Sequence, residues 1–440
     1  MPVRTKDGKS DRFSRFLRYF RKEECELLWT PQTGLRDLMG RRLEPTYTRA
    51  STKTFEQGGK LFSAASGAQD PTGRIDPAST NLALQSQTFG TSWTPLRSTV
   101  GLNVVAGPDG STTADSIIED TTVTSTHQVS QTAISVVSGT TYTFSCYIKA
   151  GTRSWFRLSL SSTRFGAGVS QGAYFNAATG AKGVVTAAST SRITPLGNSG
   201  WYRAEITSTC DSTGITNIFI QLALTDNMAS YSGDGVSYAY ATDVQMEAGK
   251  VASPRKITTT LAVTTAADVL QYTLGLPLAN SSSERTYFIY YNQMHPLASY
   301  PDTIVPFFHS MDVTGASEDY VLAFKSTTTW RFFVQAAGAT AVDCNIGTNT
   351  DVGRHVMVLS VKSGKTFAAV DGAQTALQAG TFASNGTDSR FRIGCSDTAN
   401  VQLGMEILCA GVLPRAISQQ ELTRLTFNIK GVAGYAPRAN

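Results

Sequence analysis

The sequence predicts an all-β protein, two β-sandwich domains preceded by an amino-terminal α-helix. Three observations carry that expectation. Strand patterns with alternating apolar and polar residues recur at short spacing from residue 80 onward, punctuated by Gly, Asn, Asp and Ser. Charged residues are only 16% of the 440-residue chain, which suits sandwiches with Ser/Thr-rich outer faces and disfavours helical bundles and wholesale disorder. A single long amphipathic helical pattern stands apart at the start of the chain.

That pattern is residues 10–29, SDRFSRFLRYFRKEECELLW. Phe13, Phe16, Leu17, Phe20, Leu27 and Leu28 fall at helical spacing on one face, and Arg12, Arg15, Arg18, Arg21 and Lys22 crowd the rest of its first half. Ser10 or Asp11 can cap its start, and Thr30-Pro31 stops it. Residues 1–22 hold eight Lys/Arg against Asp7 and Asp11, so the net charge of +5 is concentrated there and the body is near neutral. Glu23, Glu24 and Glu26 make the second half acidic, which weakens a membrane-surface reading. No nucleic-acid-binding module is recognisable. No apolar run reaches the ~20 residues that span a bilayer, and no secretory signal follows the basic start. The stripe is therefore expected to dock into a protein partner, with Arg12, Arg15 and Arg18 setting the register; an intramolecular core helix is the alternative. This gives residues 1–44 as an anchor.

Residues 45–79 form a connector. A short turn of helix is expected at Leu35–Leu38 just before it, an extended run at 44–54, and a hairpin-like turn at Gln57-Gly58-Gly59.

Residues 80–255 read as the first sandwich. Tyr142, Phe144, Cys146 and Ile148 face one way, as do Ile218, Ile220, Leu222 and Leu224, and Phe156, Leu158 and Leu160. Alternation then sends Trp155 and Arg157, Trp201 and Arg203, and Phe219 and Gln221 to the opposite faces of their strands. Large aromatics interleaved with Arg and Gln make a sugar-stacking platform with hydrogen bonds to hydroxyls. The alternative is that this face is a second core layer or is covered by a neighbour. Asp243 and Glu247 lack the spacing of a calcium loop and are expected to be solvated strand-end carboxylates.

Residues 256–440 carry a second strand series. Tyr287, Tyr290, Tyr291 and Trp330 are expected in its core, and Ser418-x-x-Glu421 forms a capping box for a closing helix with Leu422 and Leu425 turned inward. The acids Asp312, Glu318 and Asp319 are expected to be solvated in a loop.

The six cysteines, Cys25, Cys146, Cys210, Cys344, Cys395 and Cys409, are dispersed and read as free buried thiols. Four histidines, none at metal-ligand spacing, and the absence of a GxSxG elbow or a phosphate loop predict a protein that is not an enzyme, with no cofactor and no metal. A polysaccharide depolymerase ranks last.

The run YTRASTKTFEQGGKLFSAA at 47–65, followed by TNLALQSQTF at 80–89, resembles the shared opening of tailed-bacteriophage head-spike, head-fibre and tail-fibre proteins. GPDGSTTADSI at 107–117, YTFSCYIKAG at 142–151, GWYRAEI at 200–206 and DVQMEAG at 243–249 resemble the jelly-roll, carbohydrate-binding-like module that follows in that family. RHVMVLSVKSGKTFAAVDGAQ at 354–374 and AGVLPRAISQQELTRL at 410–425 resemble a laminin-G or concanavalin-type module. The resemblance implies a virion structural protein, made in the host cytoplasm and displayed on the virion surface, with capsid, portal, neck or tail proteins as docking partners. It further implies a host-surface glycan as ligand and a homo-oligomer, a trimer by preference. A purely architectural decoration protein is the competing class.

Overall fold

The computed structural model describes residues 27–30, 34–37, 42–43, 46–68, 72–186, 189–273, 284–293, 305–311, 320–326, 329–336, 339–345, 352–362, 365–374, 390–393, 406–413 and 415–433. The chain is all-β, as predicted. Its strands gather into two sandwiches, with a helix at Gln419–Ala433.

The first sandwich has two six-stranded sheets, every pairing antiparallel. One runs Thr190–Pro195, Tyr202–Thr209, Thr141–Lys149, Tyr238–Ala248, Thr112–Glu119, Ser98–Ala106, and is called the Arg203 sheet below. The other, the Arg157 sheet, runs Ala181–Thr186, Gln171–Asn176, Trp155–Leu160, Gly214–Ala223, Gln128–Val136, Thr94–Leu96. Alternating side chains from both meet between them. Tyr142, Phe144, Cys146 and Ile148 pack against Phe156, Leu158, Leu160, Ile218, Ile220 and Leu222, the three inward sets expected; Leu224 lies beyond its strand and is exposed.

The second sandwich differs from the expectation in where its strands come from. One sheet runs Arg42–Leu43, Gly34–Asp37, Leu27–Thr30, Glu406–Leu413, Arg285–Gln293, Gly353–Val361, Phe367–Val370, Ala373–Gln374. Its partner sheet runs Ala339–Asn345, Thr329–Ala336, Tyr320–Ser326, Val305–Met311, Arg390–Ile393, Val269–Thr273, Thr46–Thr48. The first sheet is buried on both sides: Phe288, Tyr290, Val356 and Val358 pack on Leu422 and Leu425 of the helix, while Tyr291 on the other side meets Trp330 of the partner sheet, ring centroids 5.8 Å apart. Tyr287, Tyr290, Tyr291 and Trp330 are all buried.

The amino-terminal anchor is thereby corrected wherever it is described. Leu27 and Leu28 belong to a β-strand in which Leu27 pairs with Val412, Leu28 with Gly411 and Trp29 with Ala410. The helical turn expected around residue 35 is the strand Gly34–Asp37, folded back on Leu27–Thr30 as a hairpin. Apolar residues at adjacent positions fit a helix stripe and a doubly buried strand equally well; the open edge of Glu406–Leu413 decides for the strand. Residue 44 is therefore not the end of a separate anchor, and residues 256–440 do not form a sandwich by themselves. Phe13, Phe16, Leu17, Phe20, Arg12, Arg15 and Arg18 lie outside the described residues.

The first sandwich is thus inserted into the second. Its entry strand Ser79–Asn81 pairs with the exit strand Val263–Thr265, Asn81 opposite Val263. Beside this gate, Thr46–Thr48 pairs with Val269–Thr273.

Candidate glycan-binding face

The core-facing residues of Trp155–Leu160 and Gly214–Ala223 force the others outward. The register aligns them in rows across the Arg157 sheet. Arg157 stands opposite Gln221 on one side and Tyr174 on the other, and Gln221 stands opposite Gln128. From Arg157 to Gln128 the row is hydrogen-bonded. Arg157 Nη1 donates to Gln221 Oε1 at 2.7 Å, and Gln221 Nε2 donates to Gln128 Oε1 at 2.6 Å. The Arg157 guanidinium carbon lies 5.8 Å from the Tyr174 ring centroid. Phe219, opposite Ser159 and Ser130, edges the row on one side. Trp155, packed with Tyr174, Ala223 and Ala229, edges it on the other.

Two features mark this face as built rather than merely solvated. Arg157 is half-buried, and burial lowers its pKa, with the Tyr174 hydroxyl opposing the shift. Its Nε and the Ser159 hydroxyl are buried and have no hydrogen-bond partner in the protein, so the row is held at a cost in unmet hydrogen bonds. A glycine also shapes the rim. A Cβ at Gly183 would fall 2.1 Å from Asp226 Oδ1 and 2.8 Å from the Trp155 ring, so its absence lets both side chains close over the strand edge.

Of the six residues read as one platform, the structure brings four together: Trp155, Arg157, Phe219 and Gln221. Arg203 belongs to the opposite sheet, and Trp201 immediately precedes its strand Tyr202–Thr209, so the single platform is corrected accordingly. Trp201 is only 2% exposed; it packs with Leu61, Ala114, Tyr147 and Leu196, and its Nε1 donates to the Ala106 carbonyl at 3.1 Å. Alternation fixes which side of its own strand a residue takes but not which sheet the strand joins. Tyr174 and Gln128 were missed. The alternation in Gln171–Asn176, with Ala173 and Phe175 in the core, was the signal for Tyr174.

The carboxylates expected in solvent at the end of Tyr238–Ala248 are instead buried. Asp243 pairs with Arg255 at 3.0 Å and Glu247 with Lys256 at 3.2 Å. Cys146, Cys210, Cys344 and Cys409 are buried free thiols, and burial pushes the Cys146 thiol far up. Among the described residues no group of three or more His, Cys, Asp or Glu is placed to hold a metal ion, and no helix is long and apolar enough to cross a membrane.

No protein-family model matches this chain, and no curated protein matches it. Solved structures do. Domains LG4-5 of the mouse laminin α1 chain match with 9% identity over 67% of this chain and 90% of theirs, at a TM-score of 0.22. The tandem CBM22 domains of Paenibacillus barcinonensis Xyn10C match with 8% identity over 78% of this chain and 98% of theirs, at 0.23. The NanB sialidase of Streptococcus pneumoniae matches with 15% identity at a TM-score of 0.27, over 35% of this chain and 27% of the sialidase. These likenesses reach no further than β-sandwich architecture. They do correct one expectation: with sialidases among the matches, the reading of the chain as a non-enzyme is withdrawn, and its catalytic status is not established.

Proposed function

We propose that this chain is a bacteriophage virion structural protein, a head or tail spike or fibre, that presents its sandwiches to host-surface glycans, with the outward face of the Arg157 sheet as the glycan site. One observation carries the glycan reading: the row Tyr174–Arg157–Gln221–Gln128, hydrogen-bonded from Arg157 to Gln128 and closed by the contact of Arg157 with the Tyr174 ring, edged by Trp155 and Phe219. Planar polar groups answer ring hydroxyls, and aromatic faces answer the apolar faces of pyranose rings. The virion reading rests on the resemblance of residues 45–255, with docking to other virion proteins through the basic amino-terminal residues. Trimeric display belongs to the same proposal, because it turns weak sugar sites into avidity.

The test is a glycan array probed with the full chain. Trp155→Ala is expected to weaken binding to the recognised glycan about tenfold, the loss of one stacked ring and its buried area, with the thermal midpoint held near that of the parent. Silence on the array, or unchanged binding by Trp155→Ala, overturns the glycan reading. Absence of the protein from purified phage particles, probed with a specific antibody, overturns the virion reading.

A further inference from the structure

The outward side of the Arg203 sheet is covered rather than open. The hairpin of Lys53–Gln57 and Lys60–Ala64 and the segment around Pro254 lie over it, and Arg354 and Glu406 approach from the second sandwich. They line a half-open cavity of about 500 Å³, within the range of small-ligand sites. Five arginines and three glutamates line it.

The arginines are not equivalent. Arg74 is engaged by Asp76 at 2.6 Å, and Arg255 by Asp243 and Asp109, each at 3.0 Å. Arg203 is different. Its Nη2 donates to Ser145 Oγ at 3.0 Å, its guanidinium carbon lies 5.7 Å from the Tyr147 ring centroid, and its Nε is buried with no protein acceptor. A planar guanidinium fixed on a tyrosine ring with donors to spare is suited to a carboxylate. The glutamates narrow the choice. Glu56 lines the cavity beside Glu406, and burial and the charge of Glu406 raise the Glu56 pKa, so the cavity offers carboxyl oxygens to hydroxyls alongside the arginine. Three glutamates offset much of the charge of the five arginines, so the cavity suits a singly charged anion better than a polyphosphate. Arginine for a carboxylate, with carboxyl groups for hydroxyls, matches an acidic sugar.

We propose that this cavity is a second binding site, taking a carboxylate-bearing sugar, a uronic or nonulosonic acid, with Arg203 as the carboxylate anchor and Glu56 and Glu406 on the hydroxyls. It is separate from the face of the Arg157 sheet and does not depend on that face binding anything.

Calorimetric titration of the full chain with glucuronic acid and N-acetylneuraminic acid tests it, with glucose and acetate as controls. Saturable binding of at least one acid sugar is expected, with glucose and acetate each weaker by about tenfold or more, the worth of one charge-assisted hydrogen bond or of the hydroxyl contacts. Arg203→Gln is expected to lower the affinity by a similar factor, and Trp155→Ala to leave it unchanged, which separates this site from the glycan face. Should Arg203→Gln not fold, Arg354→Gln at the exposed rim is expected to weaken binding about threefold. The proposal is overturned if neither acid sugar binds or if glucose binds as well. Acetate binding equally would reduce the site to an anion point and overturn it too, as would unchanged affinity in the folded arginine variants.

Discussion

At the scale of single residues, the strongest arrangement is the ionic knot beside the gate between the sandwiches. Asp268 Oδ1 accepts from the Tyr47 hydroxyl at 2.5 Å and from Arg49 Nη1 at 3.1 Å, and its Oδ2 accepts from Lys53 Nζ at 2.7 Å and from the Asp76 backbone N–H at 2.9 Å. Lys53 lies equally close to Asp76, and Arg49, Lys53, Asp76 and Asp268 are all buried. Removing one partner from such a knot strands the other charges in a low-dielectric site. Asp268→Ala is therefore expected to cost about 3–5 kcal/mol in urea unfolding, whereas a loss near zero would mean that water reaches the knot. Asp76 gives the pH dependence. Burial alone would raise its pKa, but the charges of Arg74 and Lys53 outweigh burial and hold it below the ordinary carboxylate range. A depressed folded pKa stabilises the fold above pH ~4, and that stability is lost as pH falls through the folded value. Asp76→Asn is expected to flatten the fall in the urea midpoint below pH ~4; an unchanged slope would assign the acid sensitivity to other groups.

Single elements show why some of the fold was legible and some was not. Ser418-x-x-Glu421 announced the closing helix, and the structure has both halves of the capping box: the Ser418 hydroxyl accepts from the Glu421 backbone N–H at 3.3 Å, and Glu421 accepts from the Ser418 backbone N–H at 2.8 Å. Asp371-Gly372 is a local turn signal of the same kind: it closes the hairpin of Phe367–Val370 and Ala373–Gln374, and both residues adopt the positive φ that such a two-residue turn requires. Each signal is complete within a few residues. Leu27–Thr30 is the contrary case, because its partner strand lies at the far end of the sequence and its own residues satisfy two periodicities. The glycan face falls between. Outward placement of Trp155 and Arg157 followed from alternation, while their separation from Trp201 depended on sheet membership, which alternation does not encode. Leu28→Pro tests the strand. Leu27–Thr30 is flanked by Gly34–Asp37 and Glu406–Leu413, so a proline there breaks a ladder that has neighbours on both sides. An unmet backbone bond of about 1–3 kcal/mol is expected to lower the thermal midpoint of the second sandwich and to spare the first. No change in either transition would refute the pairing.

For the whole molecule, the insertion of one sandwich into the other decides how the chain can be divided. Cutting at residue 256, where the sequence alone placed a boundary, deprives the second sandwich of Leu27–Thr30 against Glu406–Leu413 and of Thr46–Thr48 against Val269–Thr273. Residues 256–440 alone would then expose two unpaired strand edges, a template for aggregation. The gate shows where the chain can be parted instead. Asn81 and Val263 are directly paired in an antiparallel ladder, so their Cα atoms are about 4.5–5.5 Å apart, a span that a two-residue Asn-Gly turn closes. A chain in which Asn-Gly replaces residues 82–262 is expected to stay soluble and to retain a cooperative melt, while residues 256–440 alone aggregate. Light scattering and calorimetry on the two proteins distinguish these outcomes. A soluble, cooperatively folded 256–440 fragment would show that the amino-terminal strands decorate the second sandwich rather than complete it.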